Sequence, residues 1–370
     1  MKMGIEIDVE SVETYPIAID RDEVFKISTG SSLTAENVLV KISSKGEEGW
    51  GNSSANSVTQ ESVESMLKAV KVMRSEMEGK KVDLEENWSA MREKLPKDPS
   101  ALAGVDIALY DLAGKSSGER VYEMFDGVHE GIMTDRTIGL MTDKETREHA
   151  RKFIDQGFKA IKVKIGLGLM EDVRRIKAVR EEGGPELKIW VDANQAFTPE
   201  ESITLCQKIA DLDVKFVEQP VRVDDLEGLK KVTSETSIPM MADETVKDPE
   251  MAERICTEGL ADMINIKLAK CGGLTGGRKI VEIMEDHGVT GMVGCMGETS
   301  VSIAAGAHLF NSTPNLKYAD LDSHFMLSDN IASGLDFKGG ELWISDENGL
   351  GMRVHEDKVK KYLMDLEGEL

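Results

Sequence analysis

The chain has 370 residues and a formal net charge of −23 at pH 7, with 40% hydrophobic and 31% charged residues. That length allows a large buried core and that composition is of the soluble globular kind. The charge repels nucleic acid and anionic membrane surfaces, which sets both aside as partners, and no stretch approaches the roughly 18 uninterrupted apolar residues of a membrane helix.

The N-terminal run Met1-Lys2-Met3-Gly4-Ile5-Glu6 has no apolar signal region, so export is not expected. Residues 1–130 read as a mixed α+β unit. Val38–Ile42 is strand-like and runs into the turn Lys45-Gly46-Glu47-Glu48-Gly49. Val63, Met66, Leu67, Val70, Met73 and Met77 recur at helical spacing, which predicts a helix over Ser62–Glu78. Asp98-Pro99-Ser100 opens another helix, with Leu102, Val105, Leu109 and Leu112 on one face.

Over residues 131–328 the pattern changes to short β-rich runs at a steady interval with helical stretches between them. The predicted strands are Thr137–Leu140, Ala160–Ile165, Ile189–Asp192, Lys215–Glu218, Met240–Asp243, Met263–Lys267, Gly291–Cys295 and Tyr318–Asp322. Alternation of strand and helix implies parallel strands, and eight such units fit one closed barrel. An open doubly wound sheet is the alternative, but no glycine-rich first turn marks one. After residue 328 the alternation stops, and residues 329–370 read as a tail that returns to the first unit. Cys206, Cys256, Cys271 and Cys295 are scattered without a Cys-x-x-Cys, as for free thiols in a reducing cytoplasm.

Reactive groups of such barrels lie at the C-terminal strand ends. Strands three, four and five end with Asp192, Glu218 and Asp243. Any one of these could cap the helix that follows. Three at matched positions on adjacent strands repel one another unless a hard dication such as Mg2+ sits between them. Strand two ends Lys162-Val163-Lys164 and strand six ends with Lys267. In a ring of eight these strands are opposed, so Lys164 and Lys267 would face opposite sides of a carbon near the axis. One can then remove a proton and the other return one, inverting that carbon. At an ordinary pKa near 10.4 only about one lysine in 2,500 is neutral at pH 7, so such a base needs its pKa lowered. Lys162 is placed to tune Lys164 by like charge and to bind a substrate carboxylate.

The motifs Ile161-Lys162-Val163-Lys164, Val191-Asp192-Ala193-Asn194, Val217-Glu218-Gln219-Pro220, Ala242-Asp243-Glu244 and Asn265-Ile266-Lys267 with Gly272-Gly273 resemble the enolase superfamily, in its muconate lactonizing enzyme subgroup. The helical run Val105–Leu112 is similar as well, and the likeness spans almost the whole chain. It implies a modified (β/α)7β TIM barrel under an α+β capping domain built from the N-terminal region and the C-terminal tail. The mandelate racemase subgroup is set aside, because Gly294-Cys295-Met296-Gly297 has no His at the end of strand seven. Asp320-Leu321-Asp322 resembles the Asp-x-Asp pair with which dipeptide epimerases hold the substrate's free ammonium. The same resemblance places Thr137 and Cys295 against substrate. It implies a cytoplasmic isomerase with catalytic Lys164 and Lys267, substrate-binding Lys162, Asp320 and Asp322, and Mg2+ on Asp192, Glu218 and Asp243. Homo-oligomeric assembly is expected. Gly30 stands where L-Ala-D/L-Glu epimerases carry an Arg, so a substrate other than Ala-Glu is expected. The second capping loop, Asn52–Asn56, is small and polar and indicates no preference. N-acylamino acid racemase or o-succinylbenzoate synthase is the enzymatic alternative, and a non-catalytic small-molecule-binding barrel the alternative of another class.

Overall fold

The computed structural model describes residues 4–366. The first three residues of the N-terminal run read above and the last four of the C-terminal tail lie outside them. Near the N-terminus a long antiparallel hairpin, Ser11–Ile27 with Gly30–Ser44, is widened by Glu47–Ser54 into a three-stranded sheet. Val38, Leu39, Val40 and Ile42 are buried, so the sheet carries core on both faces where helices cover it. The helix Val63–Met77 starts at Ser62, whose hydroxyl accepts the Ser65 N–H, and buries the apolar stripe that the spacing predicts.

The helix Pro99–Ser117 connects the layers. A Cβ on Gly51 would stand 1.9 Å from the Gly104 carbonyl oxygen, and one on Gly49 would stand 2.1 Å from that of Ala108, so strand and helix meet backbone to backbone. Two acids of the same helix reach outward. Asp106 accepts hydrogen bonds from the Thr275 N–H (3.0 Å) and hydroxyl (2.7 Å), and burial pushes its carboxyl up to about 7. Asp111 accepts from the Trp50 and Leu350 N–H groups, each at 2.8 Å. Asp106 thereby ties the capping layer to the barrel, and Asp111 ties it to the C-terminal segment.

The barrel consists of strands one to eight: Arg136–Ile138, Ala160–Lys164, Lys188–Asp192, Val214–Glu218, Met240–Ala242, Met263–Lys267, Thr290–Gly294 and Leu316–Ala319. Each pairs in parallel with the next. A parallel bridge between Thr134 and Ala319 joins the ends, and the Leu321 N–H donates to Thr134 Oγ1 at 2.9 Å. Helices follow the first seven strands, but only the 3-10 turn Ser323–Met326 follows the eighth, giving (β/α)7β. Five predicted strands end early: Ala160–Ile165, Met240–Asp243 and Gly291–Cys295 by one residue, Thr137–Leu140 by two and Tyr318–Asp322 by three. The Leu140 N–H donates to Lys26 O in the capping hairpin at 2.9 Å, so the chain has left the barrel ladder there. Strand eight stops at Ala319, and Asp320 and Asp322 lie on the loop beyond it.

The barrel interior obeys the period of two. Ala160, Trp190, Phe216, Met241, Met263 and Met292, with Tyr318, form one apolar plug, in which Trp190 stacks on Phe216 at 5.3 Å. Two residues further along the chain from six of these seven stand Lys162, Asp192, Glu218, Asp243, Asn265 and Asp320, above the plug. The C-terminal tail divides. Its end adds to the capping sheet, where the Ala18 N–H donates to Tyr362 O (3.0 Å) and the Met364 N–H to Pro16 O (2.9 Å). The hairpin Leu335–Lys338 with Glu341–Ile344 instead covers the barrel flank, where Phe337 stacks on Phe158 at 4.4 Å. No helix among the described residues is long and apolar enough to cross a membrane.

The Gly51 contact generates a stability prediction. Gly51→Ala forces a methyl against a backbone carbonyl, which cannot rotate away. It should destabilise the protein by about 3 kcal/mol and lower Tm by roughly 5–10 °C. A thermal melt matching the unsubstituted protein would contradict the close approach.

Candidate active site

Strands three to five bring Asp192, Glu218 and Asp243 together. One oxygen from each lies within 4.8 Å of the others, and all three side chains are buried. Lysines surround them. Lys162 Nζ lies 3.0 Å from Asp192 Oδ2, 2.7 Å from Glu218 Oε2 and 2.8 Å from Asp320 Oδ2. Lys164 Nζ donates to Asp192 Oδ2 at 2.6 Å, and Lys267 Nζ donates to Asp243 Oδ2 at 2.7 Å. Asn265 Nδ2 donates to Glu218 Oε1 at 2.8 Å.

The charges set one another. Burial and the Asp192 carboxylate push Glu218 up to about 8. Burial also works against the Asp192 charge, yet Lys162 and Lys164 hold it down at about 2. Burial alone would lower Lys267, but Asp243, Glu218 and Asp320 hold its ammonium well above the ordinary range. Lys162 is raised for the same reason, by Asp192, Asp320 and Glu218. At Lys162 and Lys267 the surrounding acids therefore outweigh desolvation and the like charge of neighbouring ammoniums. Lys162 also serves as a bridge among three acids rather than as a bare like-charge neighbour of Lys164.

The donor set suits a hard dication. It offers oxygen only, and Lys162 lies off the line of a hydrogen bond to Glu218 Oε2, leaving that buried oxygen without a donor. Asn194 Oδ1 and Glu244 Oε2 beside it are also buried without a hydrogen-bond partner.

Asp320 and Asp322 follow strand eight, across the barrel mouth from the three acids Asp192, Glu218 and Asp243. Asp322 Oδ2 accepts the Thr137 N–H at 2.7 Å and the Arg136 Nη1 at 3.3 Å, and Cys295 Sγ stands 3.8 Å from Asp322 Oδ1. Lys164, Lys267, Asp320, Asp322, Thr137 and Cys295 all line one cavity of about 610 Å³, together with Arg21 and Gly30 of the capping hairpin. That volume accommodates a small ligand. Every residue singled out from sequence belongs to this cavity or to the acidic cluster at its floor. The Asn52–Asn56 segment differs from its sequence reading. Asn52 is buried in a strand and accepts from Thr299 N (3.0 Å) and Oγ1 (2.6 Å), so only Ala55 and Asn56 face the cavity.

Comparison with known proteins gives the same assignment. Residues 11–125 match the N-terminal domain of mandelate racemase / muconate lactonizing enzyme, and residues 145–358 match the enolase C-terminal domain-like family. The chain belongs to the enolase superfamily, in its muconate lactonizing enzyme subgroup. It is 36% identical to the L-Ala-D/L-Glu epimerase of Bacillus subtilis, over 92% of this chain and 95% of that protein. It is 34% identical to the hydrophobic dipeptide epimerase of Enterococcus faecalis, over 93% and 99% respectively. The crystal structure of the Enterococcus faecalis V583 dipeptide epimerase, complexed with Mg and L-Leu-L-Tyr, superposes with a TM-score of 0.88 at 34% identity, covering 94% of this chain and 99% of that one.

Several residues of this superfamily site carry no assignment from sequence. Lys270 donates to both Asp243 Oδ1 and the Asp243 carbonyl. Its signal was present, one helical turn beyond Lys267. Asn265 shares the inward face of strand six with Lys267, which the period of two could have indicated. Arg175 donates to Lys164 O and to Gly139 O, each at 2.6 Å, and so pins the ends of strands one and two from behind. Arg136 has no sequence signal, because its partners Asp322 and Phe325 are far away along the chain, and nothing near Arg21 in the sequence points to the cavity.

Lys270 supplies a prediction. Lys270→Met removes a buried cation and leaves Asp243 facing Asp192 and Glu218. The expected cost is about 3–5 kcal/mol, seen as a lower midpoint in denaturant unfolding. An unchanged midpoint would show that Lys270 does not hold Asp243.

Proposed function

We propose that this chain is an Mg2+-dependent dipeptide epimerase that inverts the α-carbon of the carboxylate-bearing residue of an L,L-dipeptide. The observation that carries this reading is the placement of Lys164 and Lys267. They end strands two and six, four places apart in a ring of eight, and line the same cavity as the acidic pair Asp320 and Asp322. The relatives named above support the reaction class.

In this reading the dipeptide carboxylate enters beside Lys162, whose ammonium complements it. Asp320 and Asp322 accept hydrogen bonds from the free α-ammonium at the other end. The two anchors hold Cα between Lys164 and Lys267. One lysine, as the amine, takes the α-proton, and the opposite lysine, as the ammonium, delivers a proton to the other face. The electron pair left by the C–H bond spreads into the carboxylate and returns to Cα as the new C–H bond forms. Asp192, Glu218 and Asp243 would hold Mg2+, which supplies Lewis-acid stabilisation of the charge that develops on the carboxylate. Thr137 and Cys295 line the path between the anchors. Gly30 faces the cavity with nothing within 4 Å of a Cβ built on it, so this hairpin position presents no cation to a glutamyl side chain. A neutral, apolar or cationic second residue follows. The unpaired cysteines suit a reducing, cytoplasmic setting.

Incubation of an L,L-dipeptide library in D2O tests the reaction. Mass gain at Cα with loss of stereochemistry is expected, along with arrest by a chelator and recovery with Mg2+. Lys164→Ala and Lys267→Ala should each reduce epimerisation by about 10³-fold or more. Normal turnover by either variant would sink the two-base assignment.

The acidic pair is tested separately. Asp320→Asn and Asp322→Asn should raise KM for dipeptides by about tenfold or more, through loss of charge-assisted bonds to the ammonium. If both variants instead retained dipeptide kinetics, the free amine would bind elsewhere and an N-acyl substrate would be favoured.

A further inference from the structure

Arg21 is the one arginine of the capping hairpin, and its guanidinium lines the cavity. Its Nε is buried without a hydrogen-bond partner, and its nearest aromatic neighbour is the Phe25 ring, 5.8 Å from the guanidinium carbon to the centroid. The anionic or ionisable groups that face it are Cys295, Asp322 and Glu298. All three belong to the loops after strands seven and eight, and none makes an ion pair with it among the described residues. Asp322 is already engaged by the Thr137 N–H and by Arg136, and Glu298 accepts the Met296 N–H. The guanidinium also has space made for it. A Cβ on Gly297 would stand 2.8 Å from Arg21 Nη2, and Gly297 has φ of +82°, where a side chain is strained in any case. A glycine thus lies where this arginine passes, and the arginine ends without a protein counter-charge.

A half-buried guanidinium with an unmade hydrogen bond favours an anion from the ligand. Its position identifies which part of the ligand. Arg21 faces Asp322, not Lys164 or Lys267, so it lies at the ammonium end of the site rather than beside the carbon that is inverted. A lone ammonium bound there adds a cation next to Arg21 and Arg136. An ammonium accompanied by a side-chain carboxylate adds no net charge and gives Arg21 its partner.

We infer that Arg21 selects the first residue of the substrate, so that the preferred dipeptides begin with L-aspartate or L-glutamate. This rests on the dipeptide epimerase reading and specifies the half of the substrate that Gly30 does not address. The recognition is a charge-assisted, planar contact from the guanidinium to the side-chain carboxylate, and it leaves the proton chemistry to the two lysines.

The experiment compares L-Glu-L-Leu, L-Asp-L-Leu, L-Gln-L-Leu and L-Ala-L-Leu by Cα exchange in D2O, with the Mg2+-loaded protein and with Arg21→Met and Arg21→Lys. The unsubstituted enzyme should show a kcat/KM for the acidic substrates about 10- to 100-fold above that for L-Ala-L-Leu. Arg21→Met should bring that ratio close to one, mainly through KM, and Arg21→Lys should restore part of it. Exchange of L-Ala-L-Leu with no acidic advantage would overturn the inference and leave the epimerase reading standing. An acidic advantage that survives in Arg21→Met, or an equal fall for all four substrates, would also overturn it, because the arginine would then act on the fold alone. Absence of exchange with every dipeptide would overturn the epimerase reading, and the inference with it.

Discussion

Three carboxylates buried within 4.8 Å of one another form the constraint around which the barrel mouth is built. At an effective dielectric of ~20, each such pair repels by about 3 kcal/mol. The fold answers with cations placed on every side. Lys162 bridges Asp192, Glu218 and Asp320, Lys164 meets Asp192, and Lys267 and Lys270 meet Asp243. Glu218 is the least compensated of the three, held by one amide, by the off-line Lys162 ammonium and at 3.9 Å by Lys267, and pushed up to about 8 by burial and Asp192. An additional hard cation relieves the repulsion where the protein relieves it least. It also competes with the lysines for the same oxygens, which would loosen the acids' hold on Lys164 and Lys267. The three acids and the lysines around them are thus one electrostatic system.

Such a cluster can exist only if its backbone is rigid. The apolar plug of Trp190, Phe216 and Tyr318 sits directly below, so the strands cannot relax inward. Arg175 pins the carbonyls of Lys164 and Gly139 from outside, and Asp172 accepts the N–H groups of Gly166 and Gly168 in the adjoining loop. At the ends of strands three and four, Asn194, Gln195 and Gln219 take positive φ angles of 40°, 71° and 37°. Backbone strain of that kind persists only where the surroundings over-determine it. Here the Gln219 side chain accepts from the Asp243 and Thr245 N–H groups (3.0 and 3.1 Å), coupling the ends of strands four and five.

The barrel and its reactive set were legible in the sequence because both rest on one local rule. Parallel strands alternate side chains between two faces, so an inward apolar residue is followed two positions later by an inward functional one. Trp190 with Asp192, Phe216 with Glu218 and Met241 with Asp243 are the same event on three strands. Strand limits were less legible. Leu140 was included in strand one because its apolar character fits, while its N–H is taken by Lys26 O from a different layer. Asp320 and Asp322 were read as strand residues, yet they reach the site from the loop beyond strand eight. The raised Lys162 and Lys267 were hidden for a long-range reason: the acids that enclose these two ammoniums, Asp192, Glu218, Asp243 and Asp320, come from the ends of four strands. Arg136 was invisible in the same sense: nothing near it in the chain predicts its bond to Asp322 or its place over the Phe153 ring, 5.0 Å from the centroid.

The site is therefore divided by how its residues are held. Those at the barrel floor have several partners each and lie on strands, so exchanging one disturbs charges on its neighbours. Those at the outer part of the cavity, Arg21 and Gly30 of the hairpin and Thr137 and Cys295 of the rim, make few bonds to the rest of the protein. Gly30 meets nothing, and Arg21 leaves one nitrogen unmatched. Substitution at these positions changes shape and charge where substrates differ and leaves the floor as it was. Under the proposed reading, a single arrangement of two lysines and three acids would for that reason serve many side chains, with selectivity carried by a hairpin that packs over the barrel through backbone contacts such as Leu140 N–H to Lys26 O. The independence has a limit at Asp322. It belongs to the rim through Cys295 and to the frame through Thr137 and Arg136, so under the proposed reading a change in what Arg21 binds would be felt at the ammonium anchor.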